Sequence, residues 1–117
     1  MANPNGRKGA QFETDALDFI RGEGIEAERL ARKGSLDEGD LAVRANRGRV
    51  YILELKNVAR WLLNQWWDEA TVEASNYARA RGIALPDGLV VIKRRNKGIG
   101  KSWVVSNLEQ WTKEIKQ

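Results

Sequence analysis

The chain has 117 residues, with 20 Lys and Arg against 16 Asp and Glu, no histidine and no cysteine. Its length fits one domain around one modest core, and the missing residue types exclude disulfides, thiolate metal sites, a cysteine nucleophile, serine–histidine triads and histidine-ligated zinc or iron. Any metal must be held by oxygen, which suits magnesium, manganese or calcium, and the basic excess favours an anionic partner such as nucleic acid.

Met1 to Gly9 (MANPNGRKG) reads as a flexible polar arm whose Arg7 and Lys8 are placed to touch phosphate, and 10–117 as a single domain. There is no apolar run to serve as a signal peptide and no stretch of about 18 apolar residues to span a membrane, so a soluble cytoplasmic protein is expected. Phe12, Ala16, Leu17 and Ile20 recur at helical spacing and predict a helix from Ala10 to about Gly22, stopped by Gly22 and Gly24. Glu13 lies at the edge of its apolar face, where a solvated carboxylate favoured by the helix dipole accounts for it on position alone. Strands are predicted at about Ile25 to Lys33, Asp40 to Ala45 and Arg49 to Lys56, the last two joined as an antiparallel hairpin through Asn46-Arg47-Gly48.

Val50-Tyr51-Ile52-Leu53-Glu54-Leu55-Lys56 is apolar on both faces until Glu54, which marks a central strand covered on both sides. Alternation puts Glu54 and Lys56 on one face, and Leu53 and Leu55 on the other. Ala59 to about Arg81 predicts the longest helix, ended by Gly82, in which adjacent Trp66 and Trp67 cannot both enter one core. Strands at Leu89 to Ile92 and Ser102 to Val105 flank a basic, glycine-bearing loop from Lys93 to Lys101, and Asn107 caps a terminal helix through Lys113. Helix, three strands, long helix, two strands and helix make an α/β or α+β sandwich.

The informative segment is Gly34-Ser35-Leu36-Asp37-Glu38-Gly39-Asp40-Leu41, followed by Glu54-Leu55-Lys56. If Asp40 and Glu54 sit on paired strands, their carboxylates converge on one cation, with Leu55's backbone carbonyl as a further oxygen. Lys56 would stand beside that cation, to lose its proton or to orient a water. Asp37 competes for Asp40's role; the alternation beginning at Leu41 favours Asp40 and leaves Asp37 and Glu38 in the loop. A salt bridge between Glu54 and Lys56 is the structural alternative, but a charged pair at the end of a doubly covered strand is costly to desolvate.

This ordered set resembles the PD-(D/E)xK nuclease superfamily, and within it the archaeal-type Holliday junction resolvases and their phage-borne relatives, from Arg7 to about Val105. The resemblance implies a restriction-endonuclease-like fold with a central mixed sheet flanked by helices, and a site formed by Glu13, Ser35, Asp40, Glu54 and Lys56. It implies magnesium-dependent phosphodiester hydrolysis, with manganese as a substitute, metal ligation by Glu13, Asp40, Glu54 and the Leu55 carbonyl, and a homodimer acting on branched DNA, in a host's cytoplasm if the chain is phage-encoded. Ser35 either orients the scissile phosphate or shapes the turn after Gly34. Asn57 is a candidate for bracing the strand end or contacting substrate. Gln65, Glu69 and Glu73 share one helix face, read as solvated rather than as part of the site.

Phosphate contacts are expected from Arg7, Lys8, Arg29, Arg32 and Lys33, and from Lys93, Arg94, Arg95, Lys97 and Lys101 of the basic loop. Trp61, Trp66, Trp67, Trp103 and Trp111 are read as core or interface residues, with Trp66 or Trp67 as an interface anchor. Alongside a junction resolvase stand two other readings: a nuclease acting on duplex, flap or single-stranded DNA, and a non-catalytic DNA-binding protein of the same fold.

Overall fold

The computed structural model describes residues 4–116. Three helices, α1 (Pro4–Gly22), α2 (Leu63–Arg81) and α3 (Leu108–Ile115), surround one sheet of β1 (Glu26–Arg29), β2 (Leu41–Arg44), β3 (Val50–Lys56), β4 (Asp87–Ile92) and β5 (Trp103–Val105). The strands lie in sequence order, with β3–β4 parallel and the other pairs antiparallel, so the sheet is mixed and β3 is its central strand. Helix α2 is the crossover that a parallel pair requires.

Alternation along β3 sorts the core into two layers. Leu53 and Leu55 face α1 and pack with Phe12, Ala16, Leu17, Leu41 and Val91. Ile52 faces α2 and packs with Ala42, Ala74 and Tyr77, while Val90 and Ile92 of β4 take Trp66 and Ala70 of the same helix. Gly82 ends α2 in the left-handed conformation, φ 62°, as a glycine after a helix commonly does.

Several boundaries differ from expectation for identifiable reasons. Helix α1 begins at Pro4, so 4–9, expected as an arm, is helical; proline suits a first helical turn because its missing N–H has no partner there. Residues 1–3 of that arm lie outside the described residues. Helix α2 begins at Leu63 rather than Ala59, because Leu62 has a non-helical backbone, φ −122° and ψ 57°. Strand β1 stops at Arg29, as its partner β2 starts only at Leu41. The β2–β3 hairpin turns as expected through Asn46–Gly48, with Arg47 at φ 64°.

Candidate active site

Strand β2 begins at Leu41, one residue after Asp40, and β3 ends at Lys56, so Asp40 and Glu54 meet at one end of the hairpin. The Asp40 amide donates to the Leu53 carbonyl at 2.9 Å. Its carboxylate Oδ2 accepts from the Leu55 amide at 2.7 Å, taking the place of a backbone acceptor that β2 no longer supplies. Amide and carbonyl of one strand residue point to the same neighbour, so the Leu55 carbonyl is also aimed into the space beyond the start of β2.

Glu54 is 9% exposed, and its carboxylate lies within hydrogen-bonding reach of Asp40 on one side and Glu73 of α2 on the other. Burial, then the neighbouring Glu54 charge, pushes the Asp40 carboxyl up to about 7; burial, then Glu73, pushes Glu54 up to about 8. Glu73 is raised too, chiefly by burial. Lys56 Nζ stands 3.8 Å from Glu54 and 3.4 Å from Glu69, with the Trp66 ring 5.7 Å away. Glu13 approaches from α1; burial and then the Asp40 charge raise its pKa, against the opposing Arg29 and Arg32 at 3.8 and 3.9 Å. Carboxylates facing one another where water is scarce, with a single ammonium among them, form a donor set that fits a hard divalent cation.

The structure thus brings Glu13, Asp40, Glu54 and Lys56 to one end of the sheet. It also brings Glu69 and Glu73, expected on a solvated face: oxygens of Glu54, Glu69 and Glu73 lie within 4.8 Å of one another. Part of the signal lay in the sequence, since Glu54 shares a face with Ile52 and the crossover helix must cover that face, but which glutamates of the helix reach the site depends on its register over β3. Ser35 sits exposed in a 3-10 turn (Gly34–Leu36), where its carbonyl, not its hydroxyl, accepts from Asn76 at 3.4 Å. Asn76 also donates to the Asp37 carbonyl at 2.9 Å, tying this loop to α2. Between loop and helix lies an open cleft of about 720 Å³ whose lining includes Ser35, Gln65, Glu69 and Glu73. Asp37 stays in the loop, its carboxylate taken by the Lys33 amide. Glu38 is buried, and its hydrogen bond from Arg81, seconded by Lys33, holds its pKa low, so it is a structural acid.

The basic residues divide. Arg7 and Lys8 are exposed on α1, and the Lys8 carbonyl accepts from Asn57 at 3.4 Å, which braces the helix start against the end of β3. Arg29 is held by Glu13, Thr14 and the Ala10 carbonyl, whereas Arg32 is largely exposed. Lys33 bonds Glu38 at 3.3 Å. The loop from Lys93 leaves β4 at the same sheet end, where the Lys93 amide donates to the Lys56 carbonyl. It is folded against α1 rather than free: Lys93 and Lys97 share a cleft with Asp15 and Asp18, and Gly100 lies on Phe19. Arg94 stacks on Trp103 at 4.3 Å, and Arg95 and Lys101 are exposed. Trp66 cannot anchor an interface, because it is 4% exposed beneath β4; Trp67 is partly covered, while Trp61, Trp103 and Trp111 reach solvent.

A mixed five-stranded sheet flanked by helices makes an α/β fold, with acids and a lysine gathered where the central hairpin opens. That fold is shared with the Holliday junction resolvase Hjc of Archaeoglobus fulgidus, an archaeal hyperthermophile: TM-score 0.51 and 19% identity, over 79% of this chain and 73% of that one. No family model and no curated relative matches the sequence. No helix among the described residues is long and apolar enough to cross a membrane.

Proposed function

We propose that the chain is a divalent-metal-dependent endodeoxyribonuclease that cuts branched DNA, four-way junctions foremost. The observation that carries this reading is the convergence of Asp40 and Glu54 beside Lys56 at the open end of a resolvase-like sheet. Asp40, Glu54 and the Leu55 carbonyl, with Glu13 from α1, would hold magnesium, for which manganese should substitute. The cation would lower the pKa of a water and offset charge developing on the phosphate.

The chain's own groups do the rest. Lys56, held between Glu54 and Glu69, is placed to orient the attacking water or to exchange a proton with it. Ser35, on the cleft beside α2, supplies a hydroxyl and nearby amides for the phosphate. Arg7, Lys8, Arg29 and Arg32 rim the site from the α1 and β1 side, with Lys33, Lys93, Arg94, Arg95, Lys97 and Lys101 extending that surface for DNA phosphates without reading sequence.

A homodimer would present two sites to two strands. Its surface is sought on α3, which buries none of its residues and carries exposed Leu108, Trp111 and Ile115 at helical spacing. The test is cleavage of a labelled four-way junction beside a matching linear duplex, with magnesium or EDTA, by wild type and Glu54→Ala. Symmetric, magnesium-dependent nicks in the junction alone, absent from the variant, support the proposal. Cutting of both DNAs keeps the nuclease and removes the junction selectivity; tight binding without cutting favours a non-catalytic binder.

A further inference from the structure

Helix α2 crosses the same face of the sheet that carries Ile52, Glu54 and Lys56, and its buried Ala70 and Ala74 bring it close. Glu69 and Glu73 each precede one of these alanines, at the margin of the contact. They differ in what they touch. Glu69 is engaged, receiving Lys56 Nζ at 3.4 Å and Gln65 Nε2 at 3.0 Å. Glu73 has no ion-pair partner among the described residues; its carboxylate meets that of Glu54 and feels the charge of Asp40.

Gly39 supplies an independent observation. A Cβ there would lie 3.4 Å from Glu73 Oε2 and 2.5 Å from Ile52 Cγ2, and its φ of +101° disfavours a side chain in any case. The residue before Asp40 is thus bare where the Glu73 carboxylate rests against the loop. Glu13, by contrast, faces the two guanidinium groups of Arg29 and Arg32. Around Glu54 the acids Asp40, Glu69 and Glu73 are opposed by one ammonium, Lys56, a deficit of positive charge that a divalent cation would close.

We infer that Glu73 is a direct carboxylate ligand of the metal held by Asp40 and Glu54, while Glu69 is a positioning residue that holds Lys56. The inference rests on the metal-dependent reading proposed above. It is tested by calorimetric titration of the full chain with Mn²⁺, for wild type, Glu54→Gln, Glu73→Gln, Glu73→Asp and Glu13→Gln, with circular dichroism checking that each is folded. Loss of a single outer contact to a metal ligand already weakens affinity by about 10- to 100-fold, so Glu73→Gln should lose at least about tenfold, as Glu54→Gln does. Glu73→Asp should recover part of that loss, and Glu13→Gln should lose less than Glu73→Gln. Wild-type affinity in folded Glu73→Gln, with Glu54→Gln weakened, would overturn the inference and leave the metal site standing. A wild type that takes up no Mn²⁺ would overturn both.

Discussion

Asp40 and Glu54 are acids kept where their ionised forms are poorly solvated, and this has a sign that can be measured. Their carboxyls titrate in the folded chain near 7 and 8, above the ordinary 3.8 and 4.5. The unfolded chain therefore sheds these protons first, and the stability they contribute is fully present below about pH 4 and falls as pH rises through about 8. In EDTA the melting temperature should drop between pH 5 and pH 8, and 10-fold excess over Kd of Mn²⁺ at pH 8 should restore at least ~1 kcal/mol, about 4 °C for a domain of this size. A melting temperature in EDTA that rises over that interval would contradict the burial of these acids. Gly39→Ala should destabilise by about 2 kcal/mol or more in denaturant titration, since the methyl meets Ile52 and the backbone is left-handed.

Loops and helices hold the site together through few contacts. Asn76 is 9% exposed and supplies the amide that ties the loop of Ser35 and Asp37 to α2. Asn76→Ala should cost about 1–2 kcal/mol and lower the cleavage rate while leaving the sheet's folding cooperative, as chemical denaturation with a parallel activity assay would record. Much at this scale could be read from the residues: β3 as central strand, its two-faced alternation, the hairpin turn and the Asn107 cap on Gln110 are as expected. The start of α1 was hidden because Asn5, Gly6, Arg7, Lys8 and Gly9 carry no apolar period, and only Pro4 marks it. The acids of α2 were hidden differently. A glutamate every fourth residue is the pattern of a solvated helix face, and only the register of the helix over β3 distinguishes Glu73 from such a residue.

Over the whole molecule, charge and apolar surface are set apart. The acidic site and its basic rim lie where β3 and β4 end, whereas α3 docks near the start of the same strands, through Gln110 on the Gly88 carbonyl and Glu114 near Arg49. DNA binding should weaken steeply with salt, and Arg32→Ala should reduce the slope of log K against log salt by about 1 without changing sequence preference, measured by fluorescence anisotropy. Trp111→Glu should convert a dimer to a monomer in sedimentation and turn paired junction nicks into single ones. An unchanged sedimentation coefficient in that variant would place the self-association surface elsewhere. The places of the tryptophans were the least legible part of the sequence, because five of them look alike until burial separates Trp66 from Trp111.

The alanines of α2 have a consequence of their own. Ala70, Ala74 and Ala78 are buried at four-residue intervals, and the Ala70 carbonyl would lie 3.0 Å from a Cβ at Gly88, so helix and sheet nearly touch at that crossing while Trp66 and Tyr77 pack to either side of it. These side chains have no chemistry, yet they fix how far a glutamate must stretch. Enlarging one of them should push the helix outward at a cost of about 1–3 kcal/mol and carry Glu73 away from the proposed cation site. Drift along this seam is therefore constrained by packing and, on the proposed reading, by the reach of the glutamates as well.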